Sequence, residues 1–429
     1  IQADRFQRIE HAGLGDAGYL NCLRVDRAVA ALPDCCLLVR KIDFLAVGGM
    51  DAEAFPNRFG DLDLCFRLRN QGGDCVVANH VVVVQQGGNS LTALSFSLAD
   101  EARRTLDAAD QYDKILEKWL NQFASSRYWS RHLEHTRSAV EVETRCVPLW
   151  HQIPSALPRL FAYPVRNAQG NYRVTDPLDS LHKAGMAQPC IYTPEKDKPN
   201  ALPVTELARH APDSVICQIF LFSEGLSALR QWRKFMRDTF FVYALDDLVS
   251  NMPKMSSLRH GIPADARSRL AYALQHCDRM VVSTPFLAEH YSHLIDDIRI
   301  VPNRLRRDDW SNLTTQRRTS DKPRIGWAGG TAHLGDLLLI EDVVKATAQE
   351  ADWVFMGMCP DSIRPYVKEF HEFSTFQQYP ARLAGLNLDL AVAPLEQIPF
   401  NQGKSNLRLL EYGALGLPVI CTDIDPYRD

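Results

Sequence analysis

Three things are scarce in this 429-residue chain, and each scarcity removes a class of function. No apolar run approaches the roughly 18 residues a membrane-spanning helix needs. The greasiest stretches, 81–84 and 388–394, are of strand length. Excess charge is also scarce: 48 Lys+Arg against 52 Asp+Glu leave a formal net charge of −4, which argues against a general nucleic-acid binder. The 11 cysteines form no CxxC pair and no Cys/His spacing of a zinc site. They read as reduced core thiols, which points to the cytoplasm. Adjacent Cys35-Cys36 reads as strand residues rather than a metal or redox pair. No internal repeat or low-complexity tract appears, and residues 1–32 hold no strong motif and do not read as a signal peptide. What remains is an ordinary globular composition, 46% hydrophobic and 23% charged, long enough for two or three domains.

The stretch richest in chemistry is 400–421, FNQGKSNLRLLEYGALGLPVIC. A polar loop (Asn401, Gln402, Gly403) precedes Lys404 and Ser405, which suit the open N-terminus of a helix. Leu407, Leu410, Ala414 and Leu415 then recur at helical spacing. Gly416 and Pro418 stop the helix, and Val419-Ile420-Cys421 starts a buried strand. A helix N-terminus carries unpaired N–H groups and partial positive charge, so it suits a phosphate, and Lys404 adds a full charge there. Glu411, about two turns in and off the apolar stripe, is placed to accept hydrogen bonds from sugar hydroxyls. The plain alternative is a well-capped surface helix of any α/β protein.

Upstream, strands and helices alternate: strands at 214–221, 239–245 and 279–283, helices at 225–236 and 264–276. That alternation predicts a parallel α/β sheet with ligands beyond the carboxyl ends of its strands. Asp246-Asp247 and Ser283-Thr284-Pro285 fall there; the aspartates read as helix caps, with Asp246 facing the cleft. A strand at 298–304 leads to a second unit from Pro323, where 324–328 runs into Gly329-Gly330-Thr331, then His333 and a helix from about 336. Glycines let backbone approach a diphosphate closely, and His333 reads as part of the phosphate loop, against the alternative of an exposed loop histidine. Strands at 353–356 and 388–394, with the segment 373–379, complete this half. Near the other end, 35–49 reads as a strand running into a helix or turn and a Gly-Gly stop. Asp61 and Asp63 sit just before an amphipathic helix ending at Gly72-Gly73, as dipole-favoured carboxylates or, for function, as a general base. Residues 99–120 and 127–143 have helical character and read as solvated helices. The aromatic-basic set Tyr128, Trp129, Arg131 and His132 is an alternative contact for a membrane surface or polymeric acceptor.

The 400–421 stretch resembles the nucleotide-sugar site of retaining GT-B glycosyltransferases of the family 4 type. In that family a Glu followed by a small-residue turn and Gly-x-Pro-Val-Ile holds the donor ribose, which implies that role for Glu411. Gly403 stands where a second Glu, eight residues earlier, is usual. The phosphate loop often carries Arg and Lys; Thr331 and His333 fill those slots here. Residues 160–185 read as a strand ending in a Gly-Asn loop at 170–173 and a helix to Gly185; they resemble the opening of the GT-B N-terminal domain in enzymes of bacterial surface polysaccharides, implying acceptor or phosphate contacts for Gly170, Asn171, Tyr172 and Arg173. Residues 40–51 and 61–72 resemble the second half of a family 2, GT-A enzyme, implying that Asp61 is its base. Gly60 stands where Glu is usual there, and Gln85-Gln86 follow the strand at 80–84 where a metal-holding His is usual.

The expected fold class is therefore α/β: GT-B twin Rossmann-like domains, the second truncated, preceded by a partial GT-A remnant and a helical linker. The expected boundaries are 1–90 (remnant), 91–157 (linker), 158–305 (acceptor side) and 306–429 (nucleotide-sugar side). Beginning at Ile1 and ending ten residues after Val419, the chain is expected to be a fragment cut at both ends. The implied reaction moves a sugar from a nucleoside-diphosphate donor to a surface glycan or lipid-linked acceptor, with retention. Lys404, the Ser405 and Asn406 amides and the loop Gly329, Gly330, Thr331 and His333 would bind the diphosphate; Asn171, Tyr172, Arg173 and Asp246 would line the acceptor side. No metal or other cofactor is implied for the GT-B part; Mn²⁺ or Mg²⁺ belongs only to an upstream GT-A half. The expected location is cytoplasmic, with contact to the inner membrane surface as an open alternative. A GT-B nucleotide-sugar epimerase and a catalytically silent glycan- or nucleotide-binding module remain as rival readings.

Overall fold

The computed structural model describes residues 17, 21, 23–81, 98–125, 127–128, 130–133, 142–151, 155–193, 201–253, 255–316 and 321–428. The chain divides into two compact units: Ile1–Val147 with Leu202–Ala211 and Lys234–Met236, and Pro148–Ala201 with Pro212–Arg233 and Arg237–Asp429.

In the first unit, β1 (Arg27–Val29) and β2 (Cys75–Val77) pair antiparallel, with Ala28 opposite Val76. The expected strand from residue 35 is instead a 3₁₀ turn at Asp34–Cys36 followed by the helix Lys41–Ala46. The double glycine closes that helix in the left-handed region, with φ of +82° at Gly48 and +70° at Gly49. Asp61 and Asp63 lie inside the first turn of the helix Gly60–Asn70, where the dipole favours them. This helix packs Phe66 against Trp119 and Phe123, at ring separations of 5.4 and 5.3 Å. Those rings belong to the helix Leu98–Ala124, which departs from helical backbone at Trp119. Expected as a solvated linker, this helix buries Ile115, Leu116, Trp119 and Phe123 instead. The stretch read as helical at 127–143 makes an antiparallel bridge between Leu133 and Val142. Residues 134–141, Trp129 and Gln85-Gln86 lie outside the described residues. Among the described residues, no helix is long and apolar enough to cross a membrane.

The second unit carries two parallel sheets. The first holds β3 (Arg159–Tyr163), β4 (Gln188–Ile191), β5 (Ser214–Gln218), β6 (Phe240–Leu245), β7 (Arg279–Val282) and β8 (Ile298–Ile300) in the order β4-β3-β5-β6-β7-β8. The second holds β9 (Arg324–Ala328), β10 (Asp352–Met356), β11 (Glu369–His371), β12 (Leu390–Ala393) and β13 (Val419–Cys421) in the order β11-β10-β9-β12-β13. Each strand is reached through a crossover segment, so neighbours run parallel, and helices cover the faces. The period-two rule is visible in β10. Val354 and Met356 enter one core with Tyr379, Leu383 and Tyr412, while Trp353 and Phe355 enter the opposite one with Leu337, Val344 and Ile363. The mixed α/β, twin Rossmann-like layout expected from the alternation is the one observed.

Three local expectations change. Residues 170–173 are not a loop. Ala168–Gly170, a π-turn over Asn171–Thr175 and Asp176–Lys183 follow one another as helical turns, capped by the Asn167 side chain accepting from the Gly170 amide at 3.3 Å. Glycine is needed at 170 for close approach rather than for a turn, since a Cβ there would lie 1.8 Å from the Val165 carbonyl oxygen. Of the loop expected at 401–403, Asn401 and Gln402 belong to a short helix, Pro399–Gln402, started by Pro399. β11 ends just before the segment 373–379, and the helix Tyr379–Gly385 begins at that segment's end. Among the described residues β13 pairs with β12, and Ile420 is 62% exposed where a buried strand was expected.

Gly326 tests the packing of the second sheet. A Cβ there would lie 2.7 Å from the Val354 carbonyl oxygen and 2.6 Å from Leu388. Gly326→Ala is expected to cost about 1–3 kcal/mol, read as a lower Tm; an unchanged Tm would contradict this packing.

Candidate functional site

Each parallel sheet reverses its strand order once, the first between β3 and β5 and the second between β9 and β12. Open α/β sheets offer a ligand crevice outside the carboxyl ends of the strands at such a point. Leaving β9, the chain enters Gly329-Gly330. A Cβ on Gly329 would lie 2.5 Å from Trp327 and 2.8 Å from an Arg408 nitrogen, so glycine lets this backbone lie directly against a guanidinium. Arg408 stacks over Trp327 at 5.7 Å, an arrangement that holds its plane. Gly330 has open space where a side chain would be.

The next residues form a 3₁₀ turn, Thr331–His333, and a helix, Leu334–Leu338. Asp336 is the hub. One carboxylate oxygen accepts from the Glu396 amide at 2.7 Å and from Asn401 Nδ2 at 2.8 Å, and the other meets His333 Nδ1 at 2.7 Å. Burial works to raise the Asp336 pKa, but these hydrogen bonds and the Lys404 charge outweigh it, so the group stays ionised. Burial, then Lys404, push His333 down to about 4, which leaves it a neutral imidazole. Lys404 itself is lowered by burial, against the attraction of Asp336 and Asp247. Its ammonium also lies over the Phe400 ring at 5.3 Å.

Glu411 is 4% exposed. Oε1 accepts from the Tyr172 hydroxyl at 2.9 Å; Oε2 accepts from the Tyr379 hydroxyl at 2.9 Å and from Arg408 at 3.2 Å. The residue expected to meet a sugar is therefore held by three protein donors, one of them on the helical segment 168–183. A second tie runs parallel. Arg173 donates to Asn303 Oδ1 at 3.0 Å and to the Val301 carbonyl oxygen, and Asn303 Nδ2 donates to Ser405 Oγ at 2.9 Å. Thr284, the N-cap of the helix Pro285–Tyr291, donates to the Gly403 carbonyl oxygen at 3.1 Å. A side chain at 403 would meet Leu287 at 3.0 Å and Phe286 at 3.4 Å, which accounts for glycine where the resembled family has Glu.

Asp246 and Asp247 do not cap a helix; a 3₁₀ turn, Val249–Asn251, follows them. Gln169 Nε2 donates to both carboxylates, and Gln218 Nε2 donates in turn to the Gln169 carbonyl oxygen at 3.3 Å. Asn171 turns back to the Asn167 carbonyl oxygen at 3.2 Å. The structure thus brings Tyr172, Arg173, Asp246, the 329–333 loop, Lys404, Ser405, Asn406 and Glu411 into one linked set on the second unit. Asp61 belongs to the other unit, where it accepts from the amides of Leu62 and Asp34. Its neighbour Asp63 is fully buried between Trp119, Lys118 and Arg67. Sequence reasoning missed Arg408, Tyr379, Asp336, Asn303 and Gln169. Asn303 had a signal in the Pro-Asn after β8, and Asp336 one at its helix start. Among the described residues, no group of three or more His, Cys, Asp or Glu is placed to hold a metal ion.

No protein-family model and no curated protein matches the chain. Among solved structures, 117 chains match. TarM is 11% identical over 49% of this chain and 41% of its own, with a TM-score of 0.35; this chain thus spans well under half of TarM. Sucrose-phosphate synthase from Thermosynechococcus elongatus is 11% identical over 63% of this chain and 82% of its own, at a TM-score of 0.42. The lipopolysaccharide outer core galactosyltransferase WaaB is 14% identical over 62% and 80%, at 0.38. These are likenesses of chain layout.

Two predictions test the electrostatics. Glu411→Gln replaces one acceptor oxygen with a donor inside a buried network, and is expected to cost about 1–3 kcal/mol in a denaturant titration; no change would contradict the buried contacts. Asp246 is raised to about 8 by burial and then by the Asp247 charge. A folded pKa above the unfolded 3.8 favours folding at low pH, and that advantage is lost as pH rises through about 8. Asp246→Asn should therefore raise Tm more at about pH 9 than at about pH 5; an equal gain at both would contradict the shift.

Proposed function

We propose that the chain is a glycosyltransferase of GT-B type, moving a sugar from a nucleoside-diphosphate donor to a glycan or lipid-linked acceptor. The observation that carries the reading is Arg408 lying directly against the bare Gly329 backbone at the carboxyl end of β9, with the Lys404 charge acting on His333 in the same loop. When the bond from the anomeric carbon to the diphosphate oxygen breaks, negative charge grows on the diphosphate. Cations already fixed in a partly buried place stabilise that charge without reorganising at the moment of reaction. Lys404, paid for by two carboxylates and unfavourably buried, gains most from a dianion beside it. The amides of Ser405 and Asn406, ahead of the helix Leu407–Ala414, add hydrogen-bond donors.

A carboxylate has about four lone-pair sites, and Glu411 uses three on Tyr172, Tyr379 and Arg408. The fourth is the place for a ribose hydroxyl. Tyr172 and Arg173, on the first sheet's leading helix, frame the acceptor side. Retention at the anomeric carbon and a cell-surface glycan as acceptor follow from the family resemblance, and the configuration of the product checks the first.

Calorimetric titration of UDP-, GDP- and dTDP-hexoses without metal, against the native chain, Lys404→Ala and Arg408→Ala, tests the reading. One donor should bind, and each variant should weaken it about tenfold or more, as loss of a charge-assisted contact does. No binding, or binding indifferent to both variants, would overturn it.

A further inference from the structure

The His333–Asp336 pair carries one inference. It rests on the proposed function and sharpens the role of one residue in it.

We infer that His333 recognises the sugar of the donor, accepting a hydrogen bond from one of its hydroxyls through Nε2, and does not bind phosphate. An ionised carboxylate only accepts, so at 2.7 Å from Asp336 Oδ2 it is Nδ1 of His333 that carries the hydrogen. Asp336 cannot turn away, because its other oxygen is held by the Glu396 amide and Asn401. The ring plane is further fixed edge-on against Trp327, with centroids 5.8 Å apart. A neutral imidazole so held presents Nε2 as a bare lone pair. The His333 side chain keeps 19% of its surface exposed, and among the described residues Nε2 meets no hydrogen-bond partner.

A phosphate oxygen is also an acceptor, so it gains nothing from that nitrogen. To bind phosphate, the ring would need a second proton beside Lys404 and Arg408, both of which oppose it. A hydroxyl is the complementary group. Within a donor whose diphosphate lies on Gly329-Gly330 and the two cations, the hexose supplies hydroxyls closest to the phosphates; the ribose belongs with Glu411.

The test compares the sugar nucleotide with its bare nucleoside diphosphate, by calorimetry on the native chain, His333→Ala and His333→Gln. Glutamine can place an acceptor oxygen where Nε2 stands. His333→Ala should weaken the sugar nucleotide about fivefold and leave the bare diphosphate within about twofold. His333→Gln should recover most of the loss. A monodeoxy donor lacking the recognised hydroxyl should bind native chain and His333→Ala alike. Equal weakening of both ligands would return His333 to the phosphate site and overturn the inference. So would no weakening of either, or a loss seen only in transfer to acceptor, which would assign Nε2 to the acceptor hydroxyl. If the native chain binds none of UDP, GDP, dTDP or their hexoses, the glycosyltransferase reading itself falls. That outcome is distinct from native binding with an indifferent His333.

Discussion

Burying a carboxylate is costly unless donors replace the water it loses. Glu411 meets that requirement with three: two tyrosine hydroxyls and a guanidinium. Its position fixes much else. Tyr172 is on the helical segment that follows β3 of the first sheet, Tyr379 opens a helix packed in the core of the second, and Arg408 lies one turn before Glu411 on its own helix. The Glu411 side chain therefore ties the leading helix of one sheet to elements of the second. It also holds Arg408 where Gly329 leaves room for it. The Arg173–Asn303–Ser405 chain repeats the tie with neutral partners around Asn303. Both routes end at the turn that starts the helix Leu407–Ala414.

The charges beyond this clamp are pushed in opposite directions. Lys404 sits between Asp336 and Asp247 and is lowered by burial, while Arg408 is raised by its acidic and tyrosine neighbours. Asp336 spends its charge on His333 and two amide donors. Asp246 and Asp247 share Gln169, and both are raised, burial being the larger cause. Pairs of titratable groups pushed in opposite directions are a feature of working sites. Here Arg408 lies against the glycine loop at the end of β9, and Asp246-Asp247 lie at the end of β6.

Much of the second unit was legible in the sequence. The alternation of apolar runs with helix-length segments gave β5, β6, β7, β9, β10, β12 and β13, because short strands bounded by Gly, Pro, Asn and Asp carry their own punctuation. Gly416 closes its helix with φ of +67° as the Gly-x-Pro pattern implied. Lys404, Glu411 and the glycine loop were singled out from local spacing. What spacing does not carry is the long-range partner: Tyr172 and Glu411 are 239 positions apart. That distance is why Glu411 read as an open acceptor while three protein donors already engage its oxygens. The loop reading of 170–173 failed because Gly170 was taken for a turn residue, when its lack of a Cβ serves the Val165 carbonyl oxygen. The linker reading of 99–120 failed because charged residues on one face hid Ile115, Leu116, Trp119 and Phe123 on the other.

We propose that the glycine loop after β9 and the start of the helix Leu407–Ala414 form one diphosphate site. Backbone hydrogen exchange with and without the nucleoside diphosphate that binds tests it most directly. Exchange of the amides at 329–333 and 405–408 should slow together, with that of the Gly60–Asn70 helix unchanged. Protection confined to one of the two segments, or centred on Asp61 and its helix, would contradict it.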